Sequence, residues 1–458
     1  MKFTMLTTAV VAAVLAAGCT PCLAEARPAT PSSFRIPDYG AVGDGRTLCT
    51  AAIQKAIDAA ARAGGGTVVI PPGTWLSGTI TLKSRVILHL QRGSTLLGSP
   101  NVAHYPERIP ALRSYTDKYT CRSLIYAEDC EHMALTGDGT IDGNGGAFPK
   151  KKEPEFYKLR PFLLRAINCR DVRVENIHLR NSAMWMQHYL GCQRVRLRGL
   201  TVFNHCNYNN DGIDIDGCRD VSISECMIDA DDDGLCLKST LPRPTENVTI
   251  TNCVLRSHCT ALKMGTESNG GFRNITISNC TILSPRGTKP FWGYPEGRCG
   301  IALELVDGGR LENVAISNIV IDGVAIPLFM RLGNRARPHT ADAPKPGVGT
   351  FRNVILSNII ATGAGKIGCA IAGLPGHRIE NVTLRDVRLE FAGGGTAEDA
   401  ARAIPELEDA YPEGDMFGTL PAYGIWGRHV RNLGLHNVQL VTATPDVRPP
   451  TVFDDVKE

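Results

Sequence analysis

Two short acidic segments with nearly the same pattern lie 22 residues apart, Asn-Asp-Gly-Ile-Asp-Ile at 210–215 and Asp-Asp-Gly-Leu-Cys-Leu at 232–237. A positioned carboxyl group can donate a proton, accept one or hold a water molecule, so such pairs are candidates for acid–base chemistry. Carboxylates that share one site repel each other unless protons, cations or a ligand relieve the repulsion. We therefore predict that Asp211, Asp232 and Asp233 form a catalytic group.

Both segments belong to a repeat that runs through most of the chain. The unit Asn/Asp-Val-x-Ile/Leu-x-Asn-x-x-Ile/Leu, with some variation, begins at residues 171, 194, 220, 247, 274, 313, 353, 381 and 432. Apolar and polar residues alternate within each copy, which is the period of β-strands, and no helix pattern separates the copies. A step of this length is about one coil of a parallel β-helix, so equivalent residues stack at ~4.8 Å.

The repeat predicts an all-β solenoid, a parallel β-helix, in one domain over residues 33–445, with a C-terminal tail at 446–458. A solenoid of this length needs no second domain because each coil packs only on its neighbours. A short helix at 51–63, with Thr50 as its N-cap and three glycines after it, precedes the coils. We expect this helix to cap the open apolar end of the solenoid.

The alignment of the repeats also predicts which side chains share a surface. Two inward columns hold Ile213, Leu235, Leu262 and Ile301, then Ile215, Leu237, Met264 and Leu303. Two outward columns hold Asp214, Cys236, Lys263 and Ala302, then Asp216, Lys238, Gly265 and Glu304. Trp185 and His188 fall on the preceding coil, near the columns of Asp211 and Asp214.

The outward columns supply the predicted substrate-binding residues. These are Asp214, Lys263, Glu304, His188, Trp185, Lys238 and His258. Four of them have purely structural alternatives. Asp216 and Lys238 would form a cross-coil ion pair, His188 and His258 would be core or loop histidines, and Trp185 would pack a turn instead of a sugar ring.

Composition limits the partners and the compartment. A formal charge of +3 over 458 residues gives no basic surface for nucleic acid. Residues 1–26 resemble a secretory signal, followed by a flexible lead at 27–32, and no later segment is apolar enough to span a membrane. We expect an exported protein, periplasmic or extracellular, with Cys19 in a possible lipoprotein box as the alternative to a soluble form.

The cysteines follow the repeat. Cys226, Cys253 and Cys280 occupy a column where other copies have isoleucine. Stacked strands aim their Cβ atoms in parallel, which is poor geometry for a disulfide. We therefore predict that most cysteines are buried free thiols in the core.

Several motifs together resemble glycoside hydrolase family 28, the polygalacturonases and their pectin-degrading relatives. The stretches that carry the resemblance are 210–214 with 232–233, 38–45, 64–73, 137–143 and 181–185. The resemblance covers roughly residues 34–440 and implies a right-handed parallel β-helix. It also implies hydrolysis of glycosidic bonds with inversion, without a metal or other cofactor, on a pectic oligo- or polysaccharide. We expect a monomer.

Roles carry over residue by residue from that resemblance. Asp232 would be the general acid, Asp211 and Asp233 would hold and deprotonate the attacking water, and Asp214 would contact the sugar. An inverting site separates its acid and base by roughly 6.5–9.5 Å to admit that water. Adjacent carboxyls that cannot all ionise keep one of them protonated near neutral pH.

Two departures from the family pattern affect the substrate. The Gly-His-Gly of the family lies near residues 257–261, where our alignment puts Thr260 in the histidine column and His258 two residues early. The Arg-Ile-Lys that grips a galacturonate carboxylate corresponds to Ala302-Leu303-Glu304, although Lys263 on the previous coil supplies a cation. The substrate is therefore either a galacturonate end or a neutral sugar such as rhamnose in branched pectin.

Two loops predicted to lie at the ends of the cleft bear on the mode of action. Aromatic loops at 284–299 (Phe291, Trp292, Tyr294) and 405–424 (Tyr411, Phe417, Tyr423) would close the cleft and favour exo action. Two other classes remain open. One is a β-helix polysaccharide lyase, with Lys238 or Lys263 as base, and the other is a non-catalytic carbohydrate-binding β-helix.

Overall fold

The structure is a computed structural model that describes residues 33–458. The predicted signal segment 1–26, its Cys19 and the lead 27–32 lie outside the described residues. Among the described residues, no helix has the length and apolarity needed to cross a membrane.

The described chain is almost entirely β-strand. The strands are β1 (Ser33–Arg35), β2 (Asp44–Leu48), β3 (Gly66–Ile70), β4 (Gly73–Ser77), β5 (Ile80–Thr81), β6 (Val86–Leu90), β7 (Ser94–Gly98), β8 (Ser123–Glu128), β9 (Ala134–Gly137), β10 (Thr140–Asp142), β11 (Phe162–Ile167), β12 (Arg170–Glu175), β13 (His178–Arg180), β14 (Gln187–Leu190), β15 (Gln193–Arg198), β16 (Thr201–Asn204), β17 (Ile213–Asp216), β18 (Arg219–Ser224), β19 (Met227–Ala230), β20 (Leu235–Ser239), β21 (Thr245–Thr251), β22 (Val254–Ser257), β23 (Thr260–Ser268), β24 (Phe272–Leu283), β25 (Cys299–Leu305), β26 (Arg310–Asp322), β27 (Ile326–Leu332), β28 (Thr350–Ala364), β29 (Cys369–Ala372), β30 (Ile379–Phe391), β31 (Ile425–Thr442) and β32 (Thr451–Lys457). The helices are α1 (Thr50–Arg62), α2 (Ala397–Ala400) and 3₁₀ turns at Ile36–Tyr39, Val102–His104, Tyr115–Lys118, Gly145–Ala147 and Pro154–Leu159.

Each strand pairs in parallel with its equivalent on the next coil, which confirms the predicted parallel β-helix. One of the three ladders, here called the site ladder, runs through β5, β8, β11, β14, β17, β20, β23, β25, β27, β29 and β31. Inward-facing aliphatic residues of all three ladders form one continuous buried core. The solenoid is therefore stabilised coil by coil.

The recurring asparagines have a defined structural role. Asn247, Asn274, Asn313, Asn353 and Asn381 all adopt the left-handed conformation, each near the start of its strand. From Asn274 onward, each side-chain amide donates to the side-chain oxygen of the preceding asparagine, at 2.9–3.2 Å. Asparagine tolerates this backbone conformation better than most residues, and the ladder satisfies its amide.

The N-terminal helix caps the solenoid as predicted, with Ile53 and Ile57 buried in the core. The predicted N-cap was wrong, because Thr50 is the first helical residue and Cys49 precedes it. The Thr50 hydroxyl instead accepts the backbone N–H of Gly78 at 2.7 Å. Thr50 thus attaches the helix to a neighbouring turn.

The C-terminal segment and the cysteines complete the fold. Part of the predicted tail, Thr451–Lys457, is strand β32 and pairs in parallel with β31, so regular structure continues past residue 445. All fourteen cysteines among residues 33–458 are unpaired, and all but Cys121 and Cys206 are buried. They pack as small core residues, in agreement with the sequence prediction.

Candidate active site

The site lies on the site ladder, where the predicted register is observed. Ile213 pairs with Leu235, and Leu235 pairs with Leu262. The glycine of each acidic segment has a packing reason: a Cβ atom on Gly212 would lie 2.4 Å from the carbonyl oxygen of Gly234. A Cβ on Gly234 would similarly lie 2.6 Å from the oxygen of Ala261. The acidic turns can approach each other this closely only without a side chain there.

The register changes after Leu237, which the sequence alignment did not predict. Leu237 pairs with Met264, but Ser239 pairs with Ser268, so β23 contains two extra residues. The predicted pairing of Lys238 with Gly265 is therefore wrong. The bulge brings Glu267 to 3.7 Å from the Lys238 ammonium, and sequence reasoning missed this residue. Bulges of this kind commonly redirect a side chain at a functional site.

Lys238 is the central cation of the site. Its Nζ lies 3.4 Å from Asp214, 3.6 Å from Asp211 and 4.6 Å from the centroid of the Trp185 ring. The predicted ion pair with Asp216 does not form, because Asp216 accepts from Thr240 and contacts His188 instead. Burial disfavours the charged form of Lys238, but the acidic groups around it raise its pKa well above the usual range.

Lys263 is the second buried cation, one coil further along. Its Nζ lies 3.1 Å from Asp233 and 3.7 Å from Glu304, and the half-exposed Tyr411 ring covers it at 5.8 Å. Burial opposes the charge, yet these acidic neighbours raise the pKa of Lys263 well above the usual range. The two lysines therefore divide the carboxylates into two partly neutralised groups.

Three carboxyls of the site, Asp211, Asp214 and Asp232, have raised pKa values because of burial. Burial is the largest cause, and repulsion among the acids adds to it. The pKa of Asp214 rises to about 8 and that of Asp232 to about 6, while the pKa of Asp211 lies well above its usual range. Asp211 and Asp214 are almost fully buried, but Asp232 is partly exposed. Asp232 is thus the carboxyl that can meet a substrate.

Aromatic rings form one wall of the site. Tyr119 packs edge-on against Trp185 at 5.5 Å and against Tyr157 at 5.7 Å. Tyr157 lies on the 3₁₀ turn Pro154–Leu159, outside the repeat, so alignment of the repeats could not place it. Aromatic faces of this kind suit the apolar face of a sugar ring.

A guanidinium pair also lies beside the site, and sequence reasoning missed it. Arg337 donates to Glu267 at 2.8 Å and to Asp307 at 3.2 Å. Arg335 donates to Asp307, and its guanidinium lies 5.3 Å from the Tyr411 ring. Both arginines lie in the long loop after β27, where no repeat position predicts a function.

Two of the predicted substrate-binding residues, His188 and His258, are buried histidines. The His188 ring is fully buried, its Nε2 lies 3.1 Å from Asp216, and burial lowers its pKa. His258 is also buried, with Nδ1 2.8 Å from the carbonyl oxygen of Tyr294 and Nε2 2.9 Å from Thr288. The structure brings the other predicted residues together near the candidate catalytic aspartates; they are Trp185, Asp214, Lys238, Lys263 and Glu304.

The two aromatic loops meet, but only some of their rings line the cleft. Phe291 and Trp292 pack on Tyr208, at 5.1 and 5.2 Å. The Tyr294 hydroxyl donates to Asp415 at 2.6 Å and so joins loop 284–299 to loop 405–424. In contrast, Phe417 is buried against Trp426 and Tyr423 packs on Phe391, so these two rings stabilise the loop base.

Comparison with known proteins identifies the family. Residues 66–406 match the family model for glycosyl hydrolases family 28, and the chain belongs to that family. It is 26% identical over 385 residues to a probable polygalacturonase from Vitis vinifera, covering 79% of this chain and 74% of that protein. It is 26% identical over 300 residues to an exo-poly-alpha-D-galacturonosidase from Dickeya chrysanthemi, covering 53% of this chain and 49% of that protein.

Solved structures agree on the fold. An exopolygalacturonase from Thermotoga maritima superposes with a TM-score of 0.70 at 23% identity, over 89% of this chain and 91% of that chain. A family 28 exopolygalacturonase from Yersinia enterocolitica superposes with a TM-score of 0.71 at 21% identity, over 94% of this chain and 78% of that chain. The predicted right-handed parallel β-helix and the predicted glycosyl hydrolase class are both confirmed.

One stability prediction follows from the buried carboxyl of Glu304. Burial raises its pKa from 4.5 to about 7, so the folded chain binds this proton more tightly than the unfolded chain does. The stability that this bound proton gives the folded chain is therefore complete below about pH 4 and is lost as the pH rises through 7. Glu304→Gln, which resembles the protonated form, should be close to the parent at pH 5 and more stable at pH 8, by on the order of 1–3 kcal/mol.

Thermal or urea unfolding at the two pH values measures this difference. Glu131→Gln is the matched control, because the Glu131 side chain is 53% exposed. An equal effect of Glu304→Gln at both pH values would contradict the assignment.

Proposed function

We propose that the chain hydrolyses a galacturonate-containing pectic oligosaccharide from a chain end, with inversion at the cleaved carbon. The observation that carries the proposal is a partly exposed Asp232, with a pKa of about 6, beside three buried aspartates and two lysines. A carboxyl with a pKa near 6 still holds its proton in weakly acidic solution and can give it to a leaving oxygen.

The remaining carboxylates suit the water-activating role. Asp233 is ion-paired with Lys263 and adjoins Asp232, while Asp211 precedes the equivalent strand on the neighbouring coil. We assign Asp233 as the proton acceptor and Asp211 as the group that holds the water. Asp214 is fully buried, with no hydrogen-bond donor to either oxygen and the Lys238 ammonium at 3.4 Å, so we assign it to positioning Lys238.

Recognition of an acidic sugar needs cations that the acids do not fully neutralise. Lys238, Lys263, Arg335 and Arg337 surround the cleft and face Asp211, Asp214, Asp233, Glu267, Glu304 and Asp307. The pKa values of Asp214 and Glu304, about 8 and about 7, keep these two carboxyls mostly protonated near pH 6, so they neutralise the neighbouring cations only in part. A galacturonate carboxylate is then attracted to the site.

Contacts of the two aromatic loops beside the site support exo action. The hydrogen bond between Tyr294 and Asp415 links the two loops, and Tyr411 covers Lys263. The names of the Dickeya, Thermotoga and Yersinia relatives include the same mode of action.

A digest with polygalacturonate, galacturonate oligomers and rhamnogalacturonan oligosaccharides tests the proposal, with products followed by mass and reducing ends. We expect early release of small galacturonate products of one size and NMR detection of the inverted anomer first. Early products of random length would contradict exo action. An unsaturated product would identify a lyase.

A second candidate is hydrolysis of a neutral sugar such as rhamnose. It is favoured by Ala302 and Glu304, which stand where the family pattern has cations, and by Lys263, whose ammonium already contacts Asp233 and Glu304. Release of only neutral sugar from the rhamnogalacturonan substrate would select it.

A further inference from the structure

Three side chains of the kinds that bind metals meet next to the active site without belonging to it. His205, Asp231 and His258 follow strands β16, β19 and β22, whose last residues pair in register. They therefore occupy one column on three successive coils. One nitrogen or oxygen atom of each lies within 4.8 Å of those of the other two.

His205 is already oriented as a metal ligand would be. Its side chain is only 3% exposed, and Nε2 lies 2.7 Å from Asp229. Nδ1 is buried and has no hydrogen-bond partner. A histidine that bonds a carboxylate through one nitrogen and keeps the other free has the arrangement commonly found around bound zinc.

The other two residues are held by loop 284–299. Because the Tyr294 carbonyl can only accept, Nδ1 of His258 carries the hydrogen and Nε2 keeps its lone pair, beside the Thr288 hydroxyl. Asp231 accepts the backbone N–H groups of Phe291 and Trp292 at 2.7 and 3.1 Å. Each Asp231 oxygen can accept a further bond, so the carboxylate remains a possible ligand.

We propose that His205, Asp231 and His258 bind one divalent transition-metal cation, with Zn²⁺ the best match to two imidazoles and one carboxylate. Tetrahedral ligands at about 2.1 Å from zinc lie roughly 3.4 Å apart, so three atoms within 4.8 Å of one another need only small side-chain shifts. The bound cation would stabilise the attachment of loop 284–299 to the coils. It takes no part in the hydrolysis proposed above.

The test uses the purified protein, treated with a chelator, dialysed and then titrated with Zn²⁺. We expect one equivalent of zinc by elemental analysis and a higher Tm in its presence. His205→Gln should lose both effects, whereas His178→Gln, on an exposed residue of β13, should keep them. Metal content and Tm do not depend on sugar hydrolysis, so this test and that of the function fail separately.

Co²⁺ substitution provides a second measurement that needs no variant. We expect visible bands of a site with nitrogen and oxygen ligands. Intense thiolate-to-cobalt bands would show that cysteines bind the metal instead and would overturn the proposal. So would zinc uptake by His205→Gln equal to that of the parent, or no uptake by the parent.

Discussion

Asp232→Asn should reduce kcat by about 10²–10⁴-fold while leaving the affinity for substrate nearly unchanged. The substitution removes the proton that a general acid gives to the leaving oxygen, and general acid catalysis contributes factors of this size. Asparagine keeps the volume of the side chain, and the backbone contacts of Asp232 with Asn210 and Ser257 are unaffected. Initial rates and direct binding measurements with the same oligosaccharide separate the two effects.

The matched control is Asp138→Asn, at a carboxylate that is 48% exposed and pairs with Arg92 on the surface. It should leave kcat unchanged. The parent should also lose kcat/KM as pH rises above about 6, where Asp232 loses its proton. Full turnover by Asp232→Asn would remove Asp232 from the mechanism, and binding without turnover in the parent would indicate a carbohydrate-binding protein.

Lys238→Met should destabilise the fold by about 3–5 kcal/mol at pH 8. Lys238 is the cation within 4 Å of three buried acids, Asp211, Asp214 and Glu267. Removing one partner of a buried ion pair leaves uncompensated charge, which costs this much. The loss should be smaller at pH 5, because the pKa of Asp214, about 8, leaves that carboxyl protonated there, and the raised pKa of Asp211 acts in the same direction.

Chemical unfolding at both pH values measures the loss, with Lys55→Met on the exposed face of α1 as the control. Adding Glu267→Gln to Lys238→Met should recover part of the stability, since one uncompensated charge is removed. If Lys238→Met unfolds like Lys55→Met, the acids are neutralised in another way and the central role of Lys238 is wrong.

Sequence periodicity alone placed the candidate catalytic aspartates on neighbouring coils, because a coil of fixed length puts equivalent residues at one strand spacing. The pairing of Ile213 with Leu235 and of Asp214 with Cys236 followed directly from the spacing of the two acidic segments. The burial of His188 and His258 could not be predicted from the repeat for a related reason. A column gives the position of a residue along the coil but does not show whether a loop covers its ring, as loop 284–299 covers His258.

The sequence by itself determined the solenoid, the buried cysteines and the stacking of the two acidic segments, since each depends on local alternation or on a repeated motif. Only the tertiary structure decided the electrostatics of the site. Glu267 reaches Lys238 through a two-residue bulge, and Arg337 and Tyr411 arrive from loops outside the repeat. Bulges and loops break the period on which sequence reasoning depends, and the pKa values depend on burial that no single coil defines.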